Sequence, residues 1–137
     1  MSLDPTLARD TRPLFDTEHA QVLLANDARW PWLILVPRDT LVTEVHQLAP
    51  DARAAFLETA SAVGEALQDA TGCRSVNIAM LGNMVSQLHC HVVARSPGDP
   101  NWPAPVWGFG EAVPREQSAE LPAFAREVRE LLTARPG

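Results

Sequence analysis

The chain has 137 residues, 46% of them hydrophobic and 20% charged; this balance supports a packed core, excludes bulk disorder and predicts one domain spanning 1–137. A net charge of −6 excludes a role in coating DNA or RNA, which needs a basic face, but leaves room for one nucleotide in a local pocket. No apolar run approaches the roughly 18 residues of a membrane span, so no membrane partner is expected.

The opening Met1-Ser-Leu-Asp-Pro5 has neither a basic nor an apolar segment, and no secretory signal is expected there. Cys73 and Cys90 do not make a disulfide framework, which points to a reduced, cytoplasmic setting. All 11 basic residues are arginine. Any charge clamp on phosphate must therefore be a guanidinium, and lysine Schiff-base chemistry is excluded.

Gln21–Ala25 and Trp32–Val36 are apolar, rich in branched residues and separated by a turn-like Asn26-Asp-Ala-Arg-Trp-Pro31, which predicts an antiparallel pair. Pro50 opens a long helix in which Phe56, Ala60, Val63 and Leu67 fall at helical spacing, and Gly72 is placed as its C-cap. Two further strands are predicted over Arg74–Leu81 and Leu88–Arg95, joined by a tight Gly82-Asn-Met-Val-Ser86 connection. Prolines and glycines crowd the segment 96–116, which reads as a loop. A final helix is predicted over about 118–133, capped by Ser118, with Leu121, Phe124, Val128 and Leu131 as its apolar stripe. Strands, helix, strands, helix is the order of an α+β fold, an antiparallel sheet covered by helices. No G-x-G-x-x-G or Walker-type segment follows any strand.

The segment Gln87-Leu-His89-Cys-His91-Val-Val93 carries the chemistry. Period-two alternation puts Gln87, His89 and His91 on one face, roughly 7 Å from one to the next, and Leu88, Cys90 and Val92 into the core. Three readings follow. The row is a solvated strand face. Or two imidazoles share a zinc ion, which needs a third ligand; none lies nearby in sequence, and Cys90 faces away. Or the row is a phosphate site: Gly82 lets the backbone turn and approach a ligand, the amides from Asn83 to Ser86 form an anion nest, the Ser86 hydroxyl and Asn83 amide add donors, and one imidazole attacks phosphorus. The last is preferred, with no metal and no cofactor.

On these residues the chain resembles the histidine triad (HIT) superfamily of nucleotide hydrolases and transferases, whose motif is His-φ-His-φ-His-φ-φ with φ apolar. Glutamine stands in the first position here, as in a bacterial branch of the superfamily. The likeness runs from about Val22 to Gly108 and includes Leu23-Leu-Ala-Asn-Asp27, Pro31-Trp-Leu-Ile-Leu-Val-Pro-Arg38, Val45-His-Gln-Leu48, Asn77 and the Gly82 loop. It implies a HIT-like antiparallel sheet with one long helix and a C-terminal helix, and a homodimer. It implies that His89 attacks the α-phosphorus of a nucleotide conjugate, forming a covalent nucleotidyl-imidazole that water resolves. His91 would contact phosphate and help the leaving group, with Gln87 in support. Gly82, Asn83, Met84 and Ser86 would surround the phosphate, with Asn77 near it, and Asn26 or Asp27 would meet the ribose hydroxyls. Trp32 stands where many relatives carry another active-site histidine; an indole offers bulk and one donor but no base. The loss of that histidine and of the first triad histidine motivates an alternative, a non-catalytic nucleotide-binding sensor.

Other residues have plainer expectations. His46 is expected to be a structural hydrogen-bonding residue and His19 a surface one; Cys73 and Cys90 are expected to be inert. Trp102 and Trp107 are expected to pack on the domain itself, with stacking on a base or on a partner subunit as the rival, and Trp30 either lines a base pocket or packs its own turn. Arg95 is expected to be solvated or salt-bridged, with phosphate contact as the rival.

Overall fold

The structure, a computed structural model, describes residues 3–38, 41–116 and 120–133. Its elements are α1 (Pro5–Asp10), β1 (Thr11–Asp16), β2 (Ala20–Ala25), β3 (Trp32–Pro37), a 3-10 turn at Val45–Gln47, α2 (Pro50–Thr71), β4 (Ser75–Ala79), β5 (Cys90–Arg95) and α3 (Ala123–Thr133). The strands form one sheet in the order β1-β2-β3-β5-β4, antiparallel at every junction. This is the α+β arrangement expected, a five-stranded antiparallel sheet with three helices.

Both faces of the central strands are covered, which is why their sequences read as unbroken apolar runs rather than alternating ones. Val22, Leu24, Leu33, Leu35, Cys90 and Val92 pack beneath α2 and α3, meeting Phe56, Ala60, Val63, Leu67 and Val128. Their neighbours Leu23, Ala25, Ile34 and Val36 form a second cluster with Leu7 of α1. Val93 packs with Trp30 and Val106. The chemistry lies on this second face.

The α2 helix ends as its sequence dictates. Gly72 sits in the left-handed region at φ 65°, and its amide donates to the Gln68 carbonyl. A Cβ there meets no atom within 4 Å, so the cost of one is conformational. Gly72→Ala is expected to lower the unfolding free energy by about 1 kcal/mol, read from urea denaturation.

Three boundaries differ from expectation. α1 and β1 precede the first strand read from sequence. Asp4 caps α1 by accepting from the Thr6 amide at 2.8 Å, with Pro5 in its first turn; this Asp-Pro pair is a helix-start signal, but six residues carry too little periodicity to be read. β1 holds Pro13 at the outer edge of the sheet, where a missing amide is tolerated. α3 begins at Ala123; Ser118 lies outside the described residues. Ala125 and Val128 are its buried residues, while Leu132 packs on the core and Leu131 is exposed.

Candidate active site

β5 carries the site. It pairs with β3 from Leu35↔Cys90 to Trp32↔Val93, so His91 shares a face with Ile34 and, diagonally, with Trp32. His89 and His91, only 5% and 8% exposed, border an open cleft of about 610 Å³, within the range of small-molecule sites. Four segments wall it: α1 with Leu7, Arg9 and Asp10, the β2–β3 turn with Asn26 and Asp27, the loop before β5 with Asn83 and Met84, and the chain from Trp107 to Ala112.

The two imidazoles lie edge to face with ring centroids 4.9 Å apart. His89 Nδ1 lies 2.8 Å from the Gln87 backbone carbonyl. A carbonyl oxygen only accepts, so Nδ1 carries the proton and donates, leaving Nε2 with its lone pair. Nε2 has no hydrogen-bond partner among the described residues. His91 is held in the opposite tautomer. The Trp32 indole N–H donates to His91 Nδ1 at 3.0 Å, so the His91 proton resides on Nε2.

Aromatic rings enclose His91. Trp32 lies 5.6 Å and Trp107 5.4 Å from its ring centroid. The Trp107 indole nitrogen is itself buried without a partner among the described residues. Burial, and secondarily the neighbouring His89, push the His91 pKa down to about 3. The sign follows. Above about pH 6.5, His91 is neutral folded and unfolded, and contributes nothing. Below it the unfolded chain takes the proton and the fold does not, so stability falls with pH until about pH 3. The expected loss from this residue between pH 7 and pH 5 is about 2 kcal/mol; urea titrations at both values should show His91→Gln losing correspondingly less.

Gln87 does not join the histidine row. Its Oε1 accepts from the Asp4 amide at 2.7 Å, and with Ser86 it lines a separate hollow against the N-terminal segment. The reason is local: the ladder begins at Cys90, so alternation does not extend back to Gln87. The glutamine instead pins the start of α1, one wall of the cleft. Gly82 does not border the cleft either. A Cβ there would come within 3.0 Å of Glu44 Oε1, so the close approach its size permits is to that carboxylate. Asn77 faces the same side as Val93, its partner across β4 and β5, but lies outside the cleft lining.

Asn83 and Met84 do border the cleft, Met84 almost fully exposed. The Asn83 amide carries no hydrogen bond among the described residues. Asn26 and Asp27 border it as well, with their acceptor oxygens engaged. Asn26 Oδ1 accepts from the Arg115 amide at 2.6 Å. Asp27 takes Arg29 Nη2 at 2.8 Å and Nε at 3.0 Å, and the Val113 amide at 3.3 Å. Burial pushes the Asp27 carboxyl up, but the Arg29 side chain and these amides outweigh it and hold it below its usual value.

The segment 96–116 is ordered around two arginines. Arg115 donates to the carbonyls of Ala25, Asp27 and Trp30, strapping the chain over the β2–β3 turn. Arg95, 2% exposed, pairs with Asp99 at 2.7 Å and donates to the Ala104 carbonyl at 2.7 Å. It is salt-bridged, as its plainer reading held. Trp30 donates to the Pro100 carbonyl at 3.1 Å and is buried against Val93, Val106 and Arg29 of its own turn, outside the cleft lining. His46 and His19 are exposed, and Cys73 and Cys90 are buried thiols, Cys90 pushed up to about 11 by burial. Sequence reasoning missed α1, whose Asp4-Pro5 start signal precedes too short a helix to show periodicity, and did not place Trp107 against His91, a contact that no motif marks.

Two opposed imidazole tautomers at the floor of a cleft, on one face of an antiparallel sheet, define a histidine-centred site. The HIT domain family profile matches residues 7–98. A histidine triad protein from Sinorhizobium meliloti 1021 is 45% identical, with 94% of this chain and 95% of that chain covered and a TM-score of 0.86. One from Marinobacter aquaeolei VT8 is 39% identical, with 96% and 93% covered and a TM-score of 0.85. One from Bradyrhizobium japonicum is 38% identical, with 97% and 93% covered and a TM-score of 0.81. No curated protein matches the sequence. The chain belongs to the histidine triad family.

Proposed function

We propose that this protein is a nucleotide hydrolase or transferase acting at the α-phosphate of nucleotide conjugates (a phosphoramidate, an acyl-nucleotide or a dinucleoside polyphosphate) through a covalent nucleotidyl-histidine on His89. One observation carries the reading: the Gln87 carbonyl accepts a hydrogen bond from the His89 Nδ1–H, so the unprotonated Nε2 belongs to a ring that borders the cleft. That nitrogen is a nucleophile needing no prior deprotonation.

In this reading Nε2 attacks phosphorus in line with the leaving group and takes the nucleotidyl group. Water then attacks the same phosphorus, the P–N bond breaks, and a nucleoside monophosphate departs. The free Asn83 amide and the His91 Nε2–H are donors for the phosphoryl oxygens, where negative charge develops. The Asn26 side-chain amide, with Asp27 behind it, serves the ribose hydroxyls. Gln87 belongs to the scaffold rather than to the reacting groups, and its place in the motif assigns the chain to the glutamine branch. We also propose a homodimer through β4, whose outer edge pairs with no other strand among the described residues and which carries the exposed Ile78.

Incubation with the three conjugate classes in turn, followed by chromatography, is expected to release nucleoside monophosphate from at least one of them. Tight binding by calorimetry with no product after prolonged incubation would instead leave a nucleotide-binding sensor.

A further inference from the structure

His91 is a poor proton source for reasons of geometry. To act as an acid it must first become imidazolium, with protons on both nitrogens. A proton on Nδ1 would face the Trp32 indole N–H across 3.0 Å, donor against donor. Neutral His91 can donate a hydrogen bond from Nε2, but surrendering that proton would leave an imidazolate. The enclosing rings of Trp32 and Trp107 keep water from solvating a cation there, in line with the depressed pKa.

The other titratable groups around the cleft do not replace it. They are His89, whose Nδ1 proton is bound to the Gln87 carbonyl, Asp10, paired with Arg9 at 2.9 Å, and Asp27, paired with Arg29 at 2.8 Å. The remaining lining includes the apolar Leu7, Ile34 and Val85.

We propose, on the reading that His89 is the nucleophile, that Trp32 is a positioning residue which locks His91 as a neutral Nε2–H donor and thereby restricts the site to conjugates whose leaving group departs unprotonated, such as acyl-nucleotides, excluding phosphoramidates. The chemistry balances without an acid for the first class. His89 Nε2 forms its bond to the α-phosphorus while the P–O bond to the acyl group breaks. The electron pair leaves on a carboxylate, which is stable unprotonated. Water then displaces Nε2, the P–N electron pair returns to the imidazole, and the water proton passes to solvent. In a phosphoramidate the pair would leave on the amine nitrogen, which must take a proton as it departs, and no group among the described residues of this cleft is arranged to give it. The apolar lining suits an acyl chain.

Two measurements on the intact protein test this. The first is nitrogen-15 NMR of the His91 ring in wild type and Trp32→Phe. Wild type is expected to show protonated Nε2 and unprotonated Nδ1 at pH 7, with no titration down to pH 5, whereas Trp32→Phe is expected to lose that fixed tautomer. The second is turnover of an acyl-adenylate against adenosine phosphoramidate. Wild type is expected to favour the acyl-adenylate in kcat/KM by at least about 100-fold, the low end of a general acid's contribution, and Trp32→Phe to narrow the ratio about tenfold or more. Protonated Nδ1 or an imidazolium at pH 7 would overturn the proposal. So would wild-type phosphoramidate turnover within tenfold of the acyl-adenylate, or an unchanged ratio in Trp32→Phe. If neither substrate is turned over while the tautomer is as described, the nucleophile reading itself has failed and the substrate assignment falls with it.

Discussion

Replacing His89 by alanine is expected to abolish nucleotide turnover, a loss on the order of 10⁴-fold or more in kcat, while leaving the fold intact. The size follows from its role. His91 cannot substitute, because its Nε2 carries the proton and its Nδ1 lone pair is occupied by Trp32. With His89 gone, no side chain at the cleft floor presents an unprotonated imidazole nitrogen without a partner. The fold should survive because His89 precedes β5 and contributes no ladder pairing of its own. Steady-state kinetics and circular dichroism on the same preparation check both halves. Full activity in the folded variant would end the nucleophile assignment.

Asp99→Ala is expected to destabilise the protein by about 3–5 kcal/mol, because it strands a buried guanidinium. Arg95 is almost wholly enclosed, and Asp99 answers it with two contacts, at 2.7 and 2.8 Å. Asp99 Oδ2 also accepts from the Ser96 amide at 3.0 Å, closing the turn that leads from β5 toward Trp107. Hydrogen bonding from Arg95 holds the Asp99 carboxyl below its usual value. That contribution is therefore present at neutral pH and lost as pH falls through the carboxylate range. Natural domains hold roughly 5–15 kcal/mol in all, so the variant should unfold at far lower urea. A midpoint shift worth less than about 1 kcal/mol would contradict the reading of this pair as a buried anchor.

The sequence exposed four of the five strands, the long helix and the two histidines because each rests on a short-range rule. Phe56, Ala60, Val63 and Leu67 repeat with the helix and are all buried. His89 and His91 are two residues apart and reach one cleft. The alternation failed at Gln87 because that rule holds only where the ladder exists, and the ladder starts at Cys90. The role of Trp32 was illegible for a different reason. Its single donor was evident, but its acceptor lies 59 residues away in the chain and is supplied by the register of β3 against β5, which no local pattern encodes. The same holds for Trp107, brought to His91 by the Arg95–Asp99 anchor and the Arg115 strap. Asn26 and Asp27 show the converse. They border the same cleft as His89 and His91, but no local pattern announces that Arg29, Val113 and Arg115 occupy their oxygens.

The covalent step is tested most directly by rapid quench with a nucleotidyl substrate radiolabelled at the α-phosphate, followed by peptide mapping. The label is expected to appear transiently on the protein, to be lost in acid and stable in base as a phosphorus–nitrogen bond at imidazole is, and to map to the peptide containing His89. Product forming in single turnover without protein-bound label at any time, or with label that survives in the His89→Ala variant, would contradict it.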